Sequence, residues 1–375
     1  MTKLLPVLIS ALILAAMSEW NSTFRINQFG EKEYIKKDRF FFTIMSIVLI
    51  MFVGLRTYYN DTVTYIYSYE MMDSDWAAFR TIDWKIGANP GFIVINTILR
   101  IMGVSTQNFL MFYAAITIGT YLWFLRKYTI NIWLTIFLFF MMGCYTFTMA
   151  AIKQCVAVAF CLIAVDRAIE KKWIPFVACI ALASTFHPYS IMYAITPFLT
   201  FRPWSRKTFL LLMFFGGVGL GLQTLLGTLI NVTTMLGEEY SMSSFSGEGV
   251  NVFRLAVVWV PVILSFITRK YWEKDYEERS AIIMNLTMIN AEIMFIALFG
   301  TANYFARLAN YFLIFQTLSL PRIFKYFTLE SKKILTILAM GGYIMYFYYA
   351  LGILHGGFDA VYRKIGLIEY LRSFL

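Results

Sequence analysis

The chain is 375 residues long, 59% hydrophobic and only 14% charged, with a mean hydropathy of +0.66. A soluble domain carries about a quarter charged residues, so the composition excludes one and points to the bilayer. The formal net charge of +10 does not signal nucleic acid, because the basic residues lie in short clusters between apolar runs, the pattern by which a membrane protein orients itself.

The opening Lys3–Met17 has one basic residue and an apolar run, as a signal peptide would. No small-x-small cleavage site follows Ala15 and Ala16, so it reads as a first helix. A span needs roughly 17 to 25 mostly apolar residues. By that rule helices are expected near 4–17, 40–55, 107–125, 131–147, 154–168, 173–187, 188–201, 208–232, 252–268, 281–300, 304–320 and 334–353. The run from Trp173 to Phe201 reads either as two helices or as one long one. No soluble domain and no internal repeat stands out. The expectation is an all-α, polytopic integral membrane protein with about 12 transmembrane helices, residues 1–375 forming a single transmembrane domain. Cys144, Cys155, Cys161 and Cys179 all fall in apolar segments without metal-ligand spacing, and read as packing residues.

Six clusters hold 21 of the 32 basic residues: Arg25 to Arg39, Arg126 and Lys127, Arg167 to Lys172, Arg202 to Lys207, Arg269 to Arg279, and Arg322 to Lys333. All six can share the cytoplasmic face only if the stretch from Pro90 to Met102 does not cross. That stretch is short, holds Arg100 and follows Gly87, Asn89 and Pro90, which fits a re-entrant or interfacial element near 90–102. Loops at 56–107 and 231–251 then face outside. The first carries Asp61, Glu70, Asp73, Asp75 and Asp83 among tyrosines and tryptophans, the second Glu238, Glu239 and Glu248. Aromatic rings and carboxylates of this kind suit sugars, whose pyranose faces stack and whose hydroxyls donate; taken singly, each residue also suits a solvated loop beside an aromatic belt. With twelve crossings Arg363, Lys364 and Arg372 would lie outside, against the charge rule. Either a helix count is off by one or this tail lies in the interface.

The informative residues are those that charge sorting does not explain. Arg56, Lys153, Arg254 and Arg307 sit at outer helix ends, with Gln154 beside Lys153 and His187 in Thr185-Phe186-His187-Pro188-Tyr189-Ser190. An ionisable group in a span costs several kcal/mol, so it usually faces a cavity. Glu292 is nearly the only intramembrane carboxylate, so the anion these cations meet is expected from a ligand, a phosphate or diphosphate. Each Arg alone also reads as a helix-end anchor. His187 suits proton transfer, whereas His355, beside a Gly-Gly turn, has no comparable context. No G-x-S-x-G elbow and no clustered metal ligands support a hydrolase or a metal centre.

At these residues the chain resembles the EpsG-like and Wzy-type polysaccharide polymerases, the families behind O-antigen, capsule and exopolysaccharide assembly. The likeness rests on Gly54-Leu55-Arg56 with Asp61 and Tyr65, on Pro90-Gly91-Phe92, on Ile152-Lys153-Gln154, on Ala181 to Ser190, and on Arg307 near Tyr311. It covers most of residues 40–200 in order and spacing and is thin beyond. Lys153 stands where the family typically has arginine, keeping the charge and losing the bidentate fork. The resemblance implies a multi-pass glycosyltransferase of the bacterial cytoplasmic (inner) membrane. It would join oligosaccharide repeat units carried on undecaprenyl diphosphate, at the outer face. Expected roles are His187 as base with Asp61 or a glutamate of the 231–251 loop as fallback, Arg56, Lys153, Arg254 and Arg307 on the diphosphate, and Tyr65, Gln154, Glu238 and Glu239 at sugars. No metal or cofactor is expected, since the donor is already activated, and no nucleic acid. The bilayer, a chain-length regulator and a flippase are the expected neighbours. The competing classes are a flippase or exporter of lipid-linked oligosaccharide, which would show repeats and midplane helix breaks, and a glycan ligase differing chiefly in acceptor.

Overall fold

The computed structural model describes residues 2–26, 32–237, 249–300, 302–354 and 356–362. Glu238, Glu239, Glu248, His355, Arg363, Lys364 and Arg372 lie outside these, and the expectations placed on them are not addressed by the structure.

The described chain is mostly α-helical with little sheet. Helix α1 (Leu4–Trp20) leads into a hairpin of β1 (Thr23–Ile26) and β2 (Lys32–Lys36), followed by α2 (Phe40–Gly54), β3 (Arg56–Tyr58) and α3 (Thr62–Glu70). Two short 3-10 turns precede α4 (Pro90–Ile101) and α5 (Thr106–Tyr128). The expected loop at 56–107 is therefore largely helical. Pro90 opens α4, where its missing N–H costs nothing. At 12 residues α4 is about 18 Å long, too short to cross a bilayer core of about 30 Å. The chain continues through α6 (Ile132–Met141), α7 (Cys144–Ala150), α8 (Ile152–Ile169) and α9 (Trp173–Phe186). Gly143, at φ +77°, takes the left-handed conformation that lets α6 and α7 meet at 49°.

Pro188 removes a helical donor and forces His187 into an extended conformation (φ −158°, ψ 122°), so α9 ends there. The expected helix at 188–201 is instead an 11-residue 3-10 helix, Pro188–Phe198. The steeper 3-10 rise gives it a length of about 22 Å. After it come α10 (Arg206–Leu220), α11 (Leu222–Met235), α12 (Val252–Ile267), α13 (Arg269–Lys274), α14 (Glu278–Ile296), α15 (Ala302–Ala309), α16 (Leu313–Phe324) and α17 (Leu329–Phe347). The π-turn Tyr348–Leu354 and β4 (Val361–Tyr362) follow, and β4 pairs antiparallel with β3. The expected single helix at 304–320 is thus two, broken at Asn310–Phe312, and the expected helix at 208–232 bends by 102° between α10 and α11.

Among the described residues three helices are long and apolar enough to cross a membrane, Thr106–Tyr128, Glu278–Ile296 and Leu329–Leu354, or five if each bent pair is one span. The expected count of 12 is not confirmed on that criterion. The physical reason is fragmentation: α1, α2, α9 and α12 are apolar but have only 14 to 17 residues each.

The six basic clusters meet at one end of the helices. Lys127 pairs with Asp166 and with Glu170 (2.8 Å), Lys171 with Glu278 (3.1 Å), Arg202 with Glu273 (2.6 Å), Arg322 with Glu277 (2.9 Å), and Lys325 with Asp275. Lys37 joins them by donating to the carbonyls of Arg126 (2.6 Å) and Thr129 (2.7 Å) at the end of α5. By the charge rule this is the cytoplasmic face.

Candidate functional site

The opposite end of α8 carries Lys153 and Gln154, with Lys153 about 21 Å from Arg167 along the helix. Here three interruptions of regular helix converge: the α7–α8 break at Ala151, the His187-Pro188 break, and the α15–α16 break at Asn310–Phe312. Helix ends leave carbonyls without partners, which a membrane interior does not tolerate. Around the last break three carbonyls accept from side chains. Gln154 Nε2 donates to Arg307 O (2.8 Å), Asn290 Nδ2 to Ala309 O (2.6 Å), and the Tyr193 hydroxyl to Tyr311 O (2.5 Å). Asn290 is itself held, its Oδ1 accepting from Gln316 Nε2 (2.8 Å). These bonds fix where Arg307 and Tyr311 stand.

Tyr311 then reaches His187: its hydroxyl is 2.6 Å from His187 Nδ1. The charged groups facing the imidazole are Lys153 and Arg307. The Lys153 ammonium lies over the Phe92 ring, 5.4 Å from its centroid, and the Lys153 amide donates to the Tyr65 hydroxyl, which also faces Asp61 and Arg307. Tyr189 and Tyr304 complete an aromatic wall, their rings edge to face at 5.9 Å, with Tyr189 5.7 Å from the His187 ring. Phe92 is carried in by α4, whose Gly91 lies so close to α9 that a Cβ there would sit 2.1 Å from Thr185 Oγ1.

The structure therefore brings together His187, Lys153, Arg307, Tyr65 and Gln154. Arg307 is exposed, and Lys153 and His187 are half-buried. Gln154 is buried, with its amide nitrogen spent on Arg307 O, which makes it a support for Arg307 rather than an open sugar contact. Arg254 stands further along the same rim, with Nη2 3.5 Å from Asn310 Oδ1 and a hydrogen bond to Tyr346. Asp61 is exposed at the start of α3. Arg56 is 1% exposed and largely committed: Nε donates to Thr62 Oγ1 (3.0 Å) and Nη1 to Val53 O (2.6 Å), leaving Nη2 buried without a partner. Its neighbours Tyr65 and Cys155 tie it to the cluster from beneath. Asn310, Tyr189 and Tyr304 were not singled out from sequence, since nothing in local pattern separates them from interfacial tyrosines and turn residues.

Among the described residues no three His, Cys, Asp or Glu side chains gather as metal ligands. Two open clefts, of about 520 and 400 Å³, lie by Arg202–Phe209 and by Tyr34–Arg39 at the opposite end, away from His187.

Apolar helices, with a cluster of cations and tyrosines around one histidine at a helix end, define a helical membrane protein with a polar cluster set among its helix ends. The chain belongs to the EpsG family, which matches residues 39–364. No curated protein and no solved structure matches it. The family indicates a role like that of a polysaccharide polymerase, with glycosyltransferase-like activity.

Proposed function

We propose that the protein is a multi-pass polymerase of the bacterial cytoplasmic membrane that lengthens a glycan held on undecaprenyl diphosphate. The growing glycan moves from its lipid diphosphate to a sugar hydroxyl of the next lipid-linked repeat unit, on the face opposite the basic clusters. The observation that carries this reading is His187, hydrogen-bonded to Tyr311 and faced by Lys153 and Arg307.

The reaction needs a proton acceptor, a charge-stabilising group for the leaving diphosphate, and positioning. The acceptor oxygen forms the new bond to the anomeric carbon and gives its proton to His187 Nε2, while Nδ1 stays on the Tyr311 hydroxyl. The carbon–oxygen bond to the diphosphate breaks, and its electron pair leaves with the lipid diphosphate. Because negative charge grows on that group as the carbon becomes oxocarbenium-like, fixed cations help the transition state more than the ground state. Lys153 and Arg307 fill that role nearest the base, with Arg254 along the rim, and Arg56, buried beneath, adds its charge without touching the ligand. Tyr65 and the neighbouring rings offer faces to the pyranoses. Asp61 is the second candidate base, and Glu238 and Glu239 remain candidate sugar contacts.

Purified protein incubated with an undecaprenyl-diphosphate-linked repeat unit tests this: a ladder of products is expected, and His187→Gln should abolish it. Translocation of the lipid-linked unit without new glycosidic bonds would instead mean a flippase. A single transfer onto a different acceptor would mean a ligase.

A further inference from the structure

The charged end of the helices carries a second concentration of cations, far from His187. There the β1–β2 hairpin and the start of α2 meet the last turn of α5, leaving an open cleft of about 400 Å³ whose walls include Lys36, Lys37, Arg39, Trp123, Arg126 and Lys127. The cations are brought together by reciprocal backbone bonding. Lys37 donates to three carbonyls at the end of α5, and Arg126 donates back to the carbonyls of Lys37 (2.8 Å) and Asp38 (3.1 Å).

This arrangement is short of anions. Among the described residues no carboxylate forms an ion pair with Lys36, Lys37, Arg39 or Arg126; Lys127 alone is paired, to Asp166 and Glu170. Two further carboxylates on adjoining segments are hydrogen-bonded elsewhere. Glu19 accepts from the Ile132 amide (2.7 Å) and from Tyr34, and Asp38 from Asn21 Nδ2 (2.7 Å) and the Phe41 amide (2.9 Å). Burial, then the guanidinium groups of Arg126, Arg279 and Arg322, hold the Lys37 ammonium down at about 7, with Glu19 offsetting them only in part. The cleft is also lined by apolar side chains turned outward: Ile35 is 63% exposed and Trp123 40%. A free anion gains nothing from that rim, whereas a lipid uses both, its headgroup on the cations and its acyl chains on the apolar side chains.

We propose that this cleft binds the phosphate-bearing headgroup of an anionic phospholipid of the inner leaflet, with Lys36 and Arg39 as the cations that reach it. Both are exposed, so replacing them leaves the helix packing intact. The test is native mass spectrometry of the full chain in detergent, titrated with phosphatidylglycerol or phosphatidylcholine. Phosphatidylglycerol should be retained selectively, and the double variant Lys36→Gln/Arg39→Gln should bind it about 30-fold more weakly, two surface charges' worth. The variant Lys332→Gln/Lys333→Gln, with the same charge change on exposed α17 positions, should bind as the parent does. Equal retention of the two lipids, or a double variant that binds like the parent, overturns the proposal. Full displacement of phosphatidylglycerol by millimolar inorganic phosphate also overturns it, in favour of a free-anion site.

Discussion

His187 and Tyr311 stand 124 residues apart and meet at 2.6 Å, so the tyrosine fixes which imidazole nitrogen faces the ligand. Tyr311→Phe keeps the ring and removes one hydrogen bond, worth about 1 kcal/mol. We expect polymer synthesis to fall roughly fivefold with protein level unchanged, scored by the length distribution of the glycan ladder. An unchanged ladder would detach Tyr311 from the chemistry. Arg56 behaves differently, because its guanidinium ties the end of α2 to α3 through Val53 O and Thr62. Arg56→Gln should lower thermal stability by about 3 kcal/mol, through buried acceptors losing a charged donor, whereas Arg307→Gln, on an exposed side chain, should reduce turnover at limiting substrate and leave the melting temperature alone. Equal melting losses in both variants would place Arg307 in the packing instead.

Among the elements, the breaks matter more than the helices. Asn290 on α14 gives Ala309 O a second donor beside the Phe312 amide, where α15 stops. Asn290→Leu should cost about 1 kcal/mol, the loss of one buried hydrogen bond, and reduce activity through a displaced Tyr311. A thermal-shift series with the turnover assay checks both together. Gly91 makes the same point at α4. Gly91→Ala forces a Cβ into Thr185 and should destabilise by about 1–3 kcal/mol through overpacking, with Thr185→Gly in the same chain restoring most of the loss. Absence of rescue would mean that the α4–α9 contact is not what the glycine serves.

For the whole molecule, the two ends of the helices make a topological statement. Cysteines placed at Lys172 and Lys274 should be labelled by an impermeant reagent only after the membrane is opened from the cytoplasmic side, and one placed at Asp61 from outside in intact cells. Labelling of all three from one side would remove the separation between the ion-paired face and the His187 cluster.

The sequence by itself determined the membrane class, the mostly helical fold, the family, and the sharing of one face by six basic clusters. These follow from composition and from charge spacing between apolar runs, which are local quantities. It also picked out Lys153, His187 and Arg307, because a titratable group at an apolar helix end is conspicuous in one dimension. Only the tertiary structure decided that Arg56 is spent on the protein's own backbone, that Gln154 supports Arg307, and that residues 188–198 form a 3-10 helix instead of a further α-helix. The physical reason is that an apolar stretch looks the same as α-helix or 3-10 helix until its neighbours are known. A polar side chain's partner can likewise be a carbonyl freed by a helix break more than 150 residues away, as Gln154 and Arg307 are.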